Sequence, residues 1–352
     1  MEIKTMTNIR ELSENNEEKI LSKYAKLSKD SLGRNKDEEK CPIRTDFQRD
    51  RDRIIHSKSF RRMKHKTQVF ISPYDDHFRT RLTHSLEVFQ ISTTIARALR
   101  LNEDLVSAIA LGHDLGHAPF GHAGESALDK AIKKYNPELG FHHAKQSLRV
   151  IDFLEKNGIG LNLTKEVRDG IVGHSKGIKS LHDDNIDLST LEAQVVRIAD
   201  RIAYINHDID DAIRAGLITS LDIIKIGDKF GEKTSNRISS MVSDLIDSSI
   251  DKPKIFMSNQ IAKELDTLKD FMFEKVYYNK EKLDIEAEYA EKLQNIFDYY
   301  LKNFYMVKIP EKYTVDTNSN NERYILINDY ISSMTDNYAQ ARLNPDKLDH
   351  IL

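Results

Sequence analysis

The sequence predicts an all-α protein, and three observations carry that prediction. Apolar residues recur mostly at helical spacing, and strand-like alternation is confined to two short stretches. Beyond Gly231 the chain reads as long Lys/Glu/Asp/Ile/Leu helices with few breakers, Pro253 and Pro310 among them. The 352 residues, 39% of them hydrophobic, suffice for a sizeable core. One cysteine, Cys41, excludes a disulfide framework and cysteine-built metal sites, and it fits a reducing, cytoplasmic compartment. The net charge of −3 gives no global basic field for nucleic acid, although binding to it is not excluded. No apolar run approaches the roughly 20 residues of a membrane span, and the first residues lack a leader's apolar stretch.

Taken in order, residues 1–45 are polar and Lys/Glu-rich, broken by Gly33 and Pro42, and predict a short helix followed by an arm. Residues 46–215 hold most of the histidines and glycines and predict the core unit. Within it, Leu82, Leu86, Phe89, Ile95 and Leu99 mark a helix that Thr83 is placed to cap. Asn102 is an N-cap for Leu105–Leu111, and Ser189 with Glu192 makes a capping-box pattern ahead of a helix over 191–215. Residues 216–352 predict a C-terminal helical region packed on that core. Lys66–Ile71 and Tyr324–Ile327 are the two strand candidates, enough for at most one or two short β-hairpins, and Thr317–Asn321 reads as a loop.

Histidine carries the chemical signal. Of 13 histidines, twelve lie between His56 and His207, and five of those between His113 and His143. His113-Asp114 offers an imidazole and a carboxylate, a mixed N/O donor set suited to Mn, Fe, Ni, Co or Mg. Alone the pair is weak, but Gly112, Gly116, Gly121 and Gly124 surround it and let backbone approach a ligand closely. His84 is either a surface histidine near a helix start or a further imidazole, with Arg81 one turn before it as an anion clamp. On the helix 191–215, Arg197, Asp200, Tyr204, Asp208 and Asp211 share an arc of about 80°, opposite Val195, Ile198, Ile202, Ile205 and Ile209. That stripe is a solvated face or a pocket wall. Arg44–Lys66 carries nine Lys/Arg against three Asp, either a solvated basic helix or a polyanion site. No phosphate loop, GxGxxG turn, GxSxG elbow or HExxH is present.

The order His84, His113-Asp114, Asp200 resembles the H…HD…D pattern of the HD-domain phosphohydrolases, and more closely the bacterial dGTPase-like deoxynucleoside triphosphate triphosphohydrolases. The likeness is carried by Ser31–Arg34, Cys41–Asp50, Arg51–His56, Phe60–Arg62, Lys66–Phe70, Asp76–Val88 and His113-Asp-Leu-Gly-His-Ala-Pro-Phe-Gly-His-Ala-Gly-Glu125. It continues through Gln194–Tyr204, His207–Ala212 and Met334-Thr-Asp336. It implies an HD-domain helical core and a divalent metal, Mn, Mg or another first-row ion, held by His84, His113, Asp114 and Asp200. It implies hydrolysis of a deoxynucleoside triphosphate to deoxynucleoside and inorganic triphosphate, with a second Mg²⁺ accompanying the triphosphate. His122, Glu125 and His143 match positions for proton transfer, with Glu125 orienting an imidazole. Arg81 and His117 match phosphate-contacting positions, and Tyr204 and Asp208 match positions at the deoxyribose. The resemblance also implies a homo-oligomer with room for a nucleotide activator. Phe141-His-His-Ala-Lys-Gln146 departs from the family's Phe-Glu-His-Asn-Ala-Gln, which leaves His142 and His143 both open for the family histidine. Asn337 stands where the family often has Arg. Other HD-domain activities, on nucleoside monophosphates, (p)ppGpp or single-stranded nucleic acid, and a nucleotide-binding role without turnover are the competing expectations.

Overall fold

The computed structural model describes residues 8–68, 78–175, 188–226 and 233–342. These residues form helices α1 (Ile9–Ile20), α2 (Asp46–Ile55), α3 (Lys58–Arg62), α4 (Arg81–Ala98), α5 (Glu103–Gly112), α6 (Gly121–Tyr135), α7 (His143–Arg149) and the single turn α8 (Glu155–Gly158). They continue with α9 (Lys165–Gly173), α10 (Leu191–Arg214), α11 (Ser220–Ile226), α12 (Thr234–Ser249), α13 (Asn259–Met272), α14 (Lys280–Lys302), α15 (Asn320–Ser332) and α16 (Asp336–Arg342). Among the described residues there is no strand; two isolated antiparallel bridges, Arg34 with Thr164 and Thr67 with Thr80, are the only ladder pairings. The all-α expectation therefore holds. Residues 69–71 of one strand candidate, like His77 and His350, lie outside the described residues. The other candidate, Tyr324–Ile327, is helical within α15, where Leu326 and Ile327 are buried and Tyr324 and Ile325 half-buried.

Two apolar clusters organise the helices. In the first, α2, α4, α9 and α10 surround α5, whose residues Leu105–Gly112 are buried without exception, and α12 and α13 close the far side of α10. In the second, α6 packs on α14 and α15 through Leu128, Ile132, Leu293, Phe297 and Ile327. Capping refines the expected helix starts. Asn102 caps α5 as expected, accepting from Asp104 N and Leu105 N. Thr80, not Thr83, caps α4, and Thr83 supplies the return bond of the box. Thr190, not Ser189, caps α10. Glu192 is drawn away from capping: its Oε1 accepts from Lys26 N and Asn102 N, both at 3.0 Å, tying the N-terminal arm to the core. The buried face of α4 is Val88, Ile91 and Ile95, whereas Leu86 is exposed, because α5 and α10 both press on this helix.

Gly112 and Gly116 serve close packing against α9 and α7 rather than ligand approach. A Cβ on Gly116 would meet Ser147 N at 2.1 Å, and one on Gly170 would meet Ile109 Cδ1 at 2.5 Å. Gly170→Ala is therefore expected to destabilise by about 1–3 kcal/mol through overpacking. Gly140→Ala, whose Cβ meets only the flexible Asp129 and Lys133 side chains, should lose clearly less. Urea unfolding of both variants checks the ranking.

Burial pushes the Glu192 carboxyl up to about 7, against the backbone N–H bonds that favour its charge. A carboxyl that binds its proton more tightly when folded contributes most below about pH 4 and loses that contribution as pH rises through 7. Relative to Glu192→Gln, which cannot ionise, wild type should lose up to about 3 kcal/mol of stability between pH 4 and pH 8. Parallel pH profiles of the two proteins in urea unfolding would contradict this.

Candidate metal centre and its cavity

Three helices deliver the donors. His84 lies in the first turn of α4, His113 and Asp114 follow the last residue of α5, and Asp200 sits within α10. His84 Nε2 is 3.0 Å from Asp200 Oδ1. His113 Nε2 is 3.8 Å from the same oxygen and 3.7 Å from Asp114 Oδ2. The four side chains expected to meet are thus brought together. The Ala110 carbonyl accepts from His113 Nδ1 at 2.7 Å, which fixes the tautomer and leaves Nε2 as a lone pair. That Nε2 is buried with no hydrogen-bond partner. Two imidazoles and two carboxylates, with one imidazole nitrogen orphaned among them, fit a divalent ion of the first transition row or Mg²⁺.

Arg81 does not stand free as an anion clamp. It is 3% exposed; Nη1 donates to Asp114 Oδ2 at 2.7 Å, Nε to the Thr67 carbonyl at 3.2 Å and Nη2 to the Gln68 carbonyl at 3.3 Å. Burial works to raise the Asp114 carboxyl, but His113 and Arg81 outweigh it and hold it well below the usual range. Burial likewise opposes ionisation of Asp200, and the hydrogen bond with His84 together with His113 overcomes it.

A second group lies beside the first. Glu125 on α6 accepts from His143 N at 2.8 Å and faces His143 Nδ1 with both oxygens at 3.0 Å. His117 stacks on His143 with ring centroids 5.0 Å apart, and burial, then the Arg81 charge, hold it neutral. His122 is exposed at the cavity mouth, its Nδ1 3.6 Å from Glu125. His143 opens α7 and faces the cavity, while His142 is exposed and caps that helix, accepting from Ala144 N.

The cavity measures about 470 Å³. Its walls include Arg81, His84, Asp114, His117, His122, His143, Asp200, Tyr204 and Asp208. Arg197, Asp200, Tyr204 and Asp208 of the α10 stripe therefore form pocket wall rather than a solvated face, whereas Asp211 is buried against Arg79 and does not line the cavity. Asp208 accepts a short hydrogen bond from the Tyr277 hydroxyl, and burial pushes its carboxyl up to about 7.

Sequence reasoning missed the remainder of the wall. Phe273, Tyr277, Tyr278, Lys282, Leu283 and Glu286 come from the C-terminal region, where only the adjacent tyrosines gave any signal. His174, which none of the sequence motifs includes, is 4% exposed and lines the cavity. Its signal is a repeated local pattern: α5 ends at Gly112 and is followed by His113, and α9 ends at Gly173 and is followed by His174. Basic segment 44–66 contributes no residue to this cavity. Four of its nine cations pair with carboxylates, Arg44 with Asp52, Arg51 with Asp104, and Arg49 and Arg53 with Glu38. Several of them line a separate surface depression of about 430 Å³ instead.

Residues 81–205 match the HD domain and residues 255–344 match a phosphohydrolase-associated domain. A deoxyguanosinetriphosphate triphosphohydrolase-like protein of Caldanaerobacter subterraneus subsp. tengcongensis is 52% identical over 336 residues, covering 94% of this chain and 93% of the relative. Proteins of the same name from Desulfatibacillum aliphaticivorans and Clostridium perfringens are 45% and 46% identical, covering 95% and 96% of this chain and 96% of each relative.

The Arg81–Asp114 pair sets a measurable expectation. Removing one partner of a buried ion pair leaves the other charge uncompensated and costs about 3–5 kcal/mol. Arg81→Ala should therefore destabilise the metal-free protein on that scale in urea unfolding, far beyond what the surface change Arg97→Ala does.

Proposed function

The chain belongs to the HD-domain family of deoxyguanosinetriphosphate triphosphohydrolase-like proteins, and from that premise we propose that it hydrolyses deoxynucleoside triphosphates to the deoxynucleoside and inorganic triphosphate. One observation carries the reading: the orphaned His113 Nε2 lies beside Asp114 and Asp200, and both carboxylates line the same cavity as His143, whose Nδ1 faces Glu125.

His84, His113, Asp114 and Asp200 would hold a divalent ion, Mn²⁺, Mg²⁺ or another first-row metal, which when bound acidifies a water and polarises the α-phosphate. The chain's own residues handle the proton. Glu125 receives the Nδ1 hydrogen of His143 and turns Nε2 toward the cavity. From there His143 is placed to give a proton to the departing 5′-oxygen or take one from the attacking water, with His122 at the mouth as the exchange point with solvent. Arg81 balances Asp114 and with His117 bounds the phosphate side. Arg197, Arg201 and Lys282 line the same cavity and offset the triphosphate charge. Tyr204 and Asp208 are read as the sugar contacts: a carboxyl for the 3′-hydroxyl and a phenol that leaves no space for a 2′-hydroxyl. In this reading residues 46–215 are the catalytic core, 1–45 an arm, and 216–352 the region that completes the cavity. The family likeness also supports a homo-oligomer with a nucleotide activator.

The test is a panel of deoxy- and ribonucleoside triphosphates with Mn²⁺ or Mg²⁺ and separation of the products. Inorganic triphosphate and a deoxynucleoside are expected; pyrophosphate or orthophosphate in their place overturns the stated reaction. Asp114→Ala should abolish turnover. Glu125→Ala should lower kcat by about 10²–10⁴-fold, the usual contribution of a positioned acid or base.

A further inference from the structure

The entry into α6 is strained. Phe120 (φ +60°) and Gly121 (φ +59°) are both left-handed, and no N-cap side chain closes the helix. A bulky residue in that region costs about 1–3 kcal/mol, which its surroundings have to offset. The first N–H groups of a helix also lack partners within it. One carboxylate from α16 reaches this turn. Asp336 Oδ1 accepts from Phe120 N at 3.0 Å, while Oδ2 accepts from Thr67 N at 2.8 Å and from the Thr67 hydroxyl. The second of these anchors lies in the segment that grips Arg81: the Lys66 carbonyl accepts from Arg81 N and the Thr67 carbonyl from its Nε. A Cβ on Gly121 would stand 3.1 Å from the Gln68 carbonyl, so the turn and that segment are in close backbone contact. Lys66 makes a parallel tie, donating to the His117 and Ser332 carbonyls.

We propose that Asp336 is a positioning residue for proton transfer: it locks the left-handed Phe120–Gly121 turn against Thr67 and so sets the start of α6, which carries His122 and Glu125. The proposal rests on the hydrolase reading, in which Glu125 orients His143. Asp336 is not among the residues that line the cavity; it acts through the backbone at Phe120. Glu125 follows little more than one turn later, with both oxygens 3.0 Å from His143 Nδ1. A shift of the helix start by about 1 Å breaks that geometry. The fold itself has other support here. Phe120 packs on Tyr289 with ring centroids 4.5 Å apart, and Leu128 and Ile132 hold α6 in the second apolar cluster. Loss of the carboxylate therefore leaves α6 folded and displaces its first turn.

The experiment compares the full chain as wild type, Asp336→Asn, Glu125→Ala and the double variant, with Mn²⁺ and the deoxynucleoside triphosphate that wild type turns over fastest. Asp336→Asn keeps the side-chain shape and weakens the acceptor pair. It is expected to lower kcat by about 10²-fold with KM unchanged. In the Glu125→Ala background the same substitution should cost little, because the group it positions is already gone. Asn337→Ala, at the exposed next residue, should behave as wild type. Additive losses in the double variant, an unaffected kcat in Asp336→Asn or a change in KM alone overturns the proposal. A second readout needs no turnover. Amide hydrogen exchange across residues 117–125 should be about tenfold faster or more in Asp336→Asn, and unchanged exchange there overturns the proposal. In wild type the Phe120 amide should exchange slowly; free exchange at that amide overturns the proposal even where the variant fails to fold. No release of inorganic triphosphate by wild type overturns the hydrolase reading and the proton-transfer role with it, whereas normal wild-type turnover with an unaffected Asp336→Asn overturns the proposal alone.

Discussion

The buried charge of Asp114 is the constraint on which the rest of the site depends. A carboxylate that is 3% exposed persists in its ionised form only where cations and hydrogen bonds replace water. Arg81 does so directly, and its remaining donors are consumed by the Thr67 and Gln68 carbonyls. That fixes the segment before α4 against the loop after α5. Burial, and after it the same guanidinium, keeps the neighbouring His117 imidazole neutral. One carboxylate thus dictates the position of Arg81.

The positioning extends into the second apolar cluster. Asp336 at the start of α16 accepts from Thr67 N at 2.8 Å and from Phe120 N at 3.0 Å. Phe120 adopts φ +60°, a left-handed conformation that a bulky residue sustains only when its surroundings impose it, and it turns the chain into α6 with His122 and Glu125. Lys66 is fully buried and donates to the His117 carbonyl at 2.5 Å and the Ser332 carbonyl at 2.6 Å; burial pushes its ammonium down to about 7. Asp329 on α15 accepts from Gln146 and Arg149 on α7, the helix that begins with His143. The C-terminal helices therefore hold the segments that lead into α6 and α7, besides supplying part of the cavity lining.

Much of this was legible in the sequence, for identifiable reasons. The helices with strong polar caps, such as α5 behind Asn102, were placed to within two residues. Side chains on one helix face, such as Asp200, Tyr204 and Asp208, share the cavity because helical periodicity dictates it. What periodicity could not say is which carboxylate goes where. Glu192 resembled a capping residue and instead anchors Lys26, more than 160 residues away. The basic run resembled an anion site, yet it lies outside the cavity, and Arg49, Arg51 and Arg53 are paired with Glu38 of the arm and Asp104 of α5, partners that no local spacing reveals. His174 was overlooked because its partners, His113 and His143, reach it only through the close packing of α9 against α5 and α7.

The cavity is asymmetric, and that asymmetry bears on the proposed substrate. One wall concentrates histidines, Asp114, Asp200 and Arg81, where a charged, metal-associated phosphate chain is favoured. Tyr204, Phe273, Tyr277 and Leu283 also line the cavity, broad surfaces against which a sugar and base pack without charge. Asp208 lines the same cavity. Burial pushes it up to about 7 while the Tyr277 hydroxyl donates to it, so near neutral pH it is poised between acceptor and donor. A hydroxyl satisfies either form. A ligand lacking a hydroxyl at that point leaves a buried polar oxygen unpaired, since Asp208 Oδ1 has no hydrogen-bond partner in the protein. A molecule with phosphates at one end, an aromatic base at the other and a sugar hydroxyl between them satisfies all three demands at once.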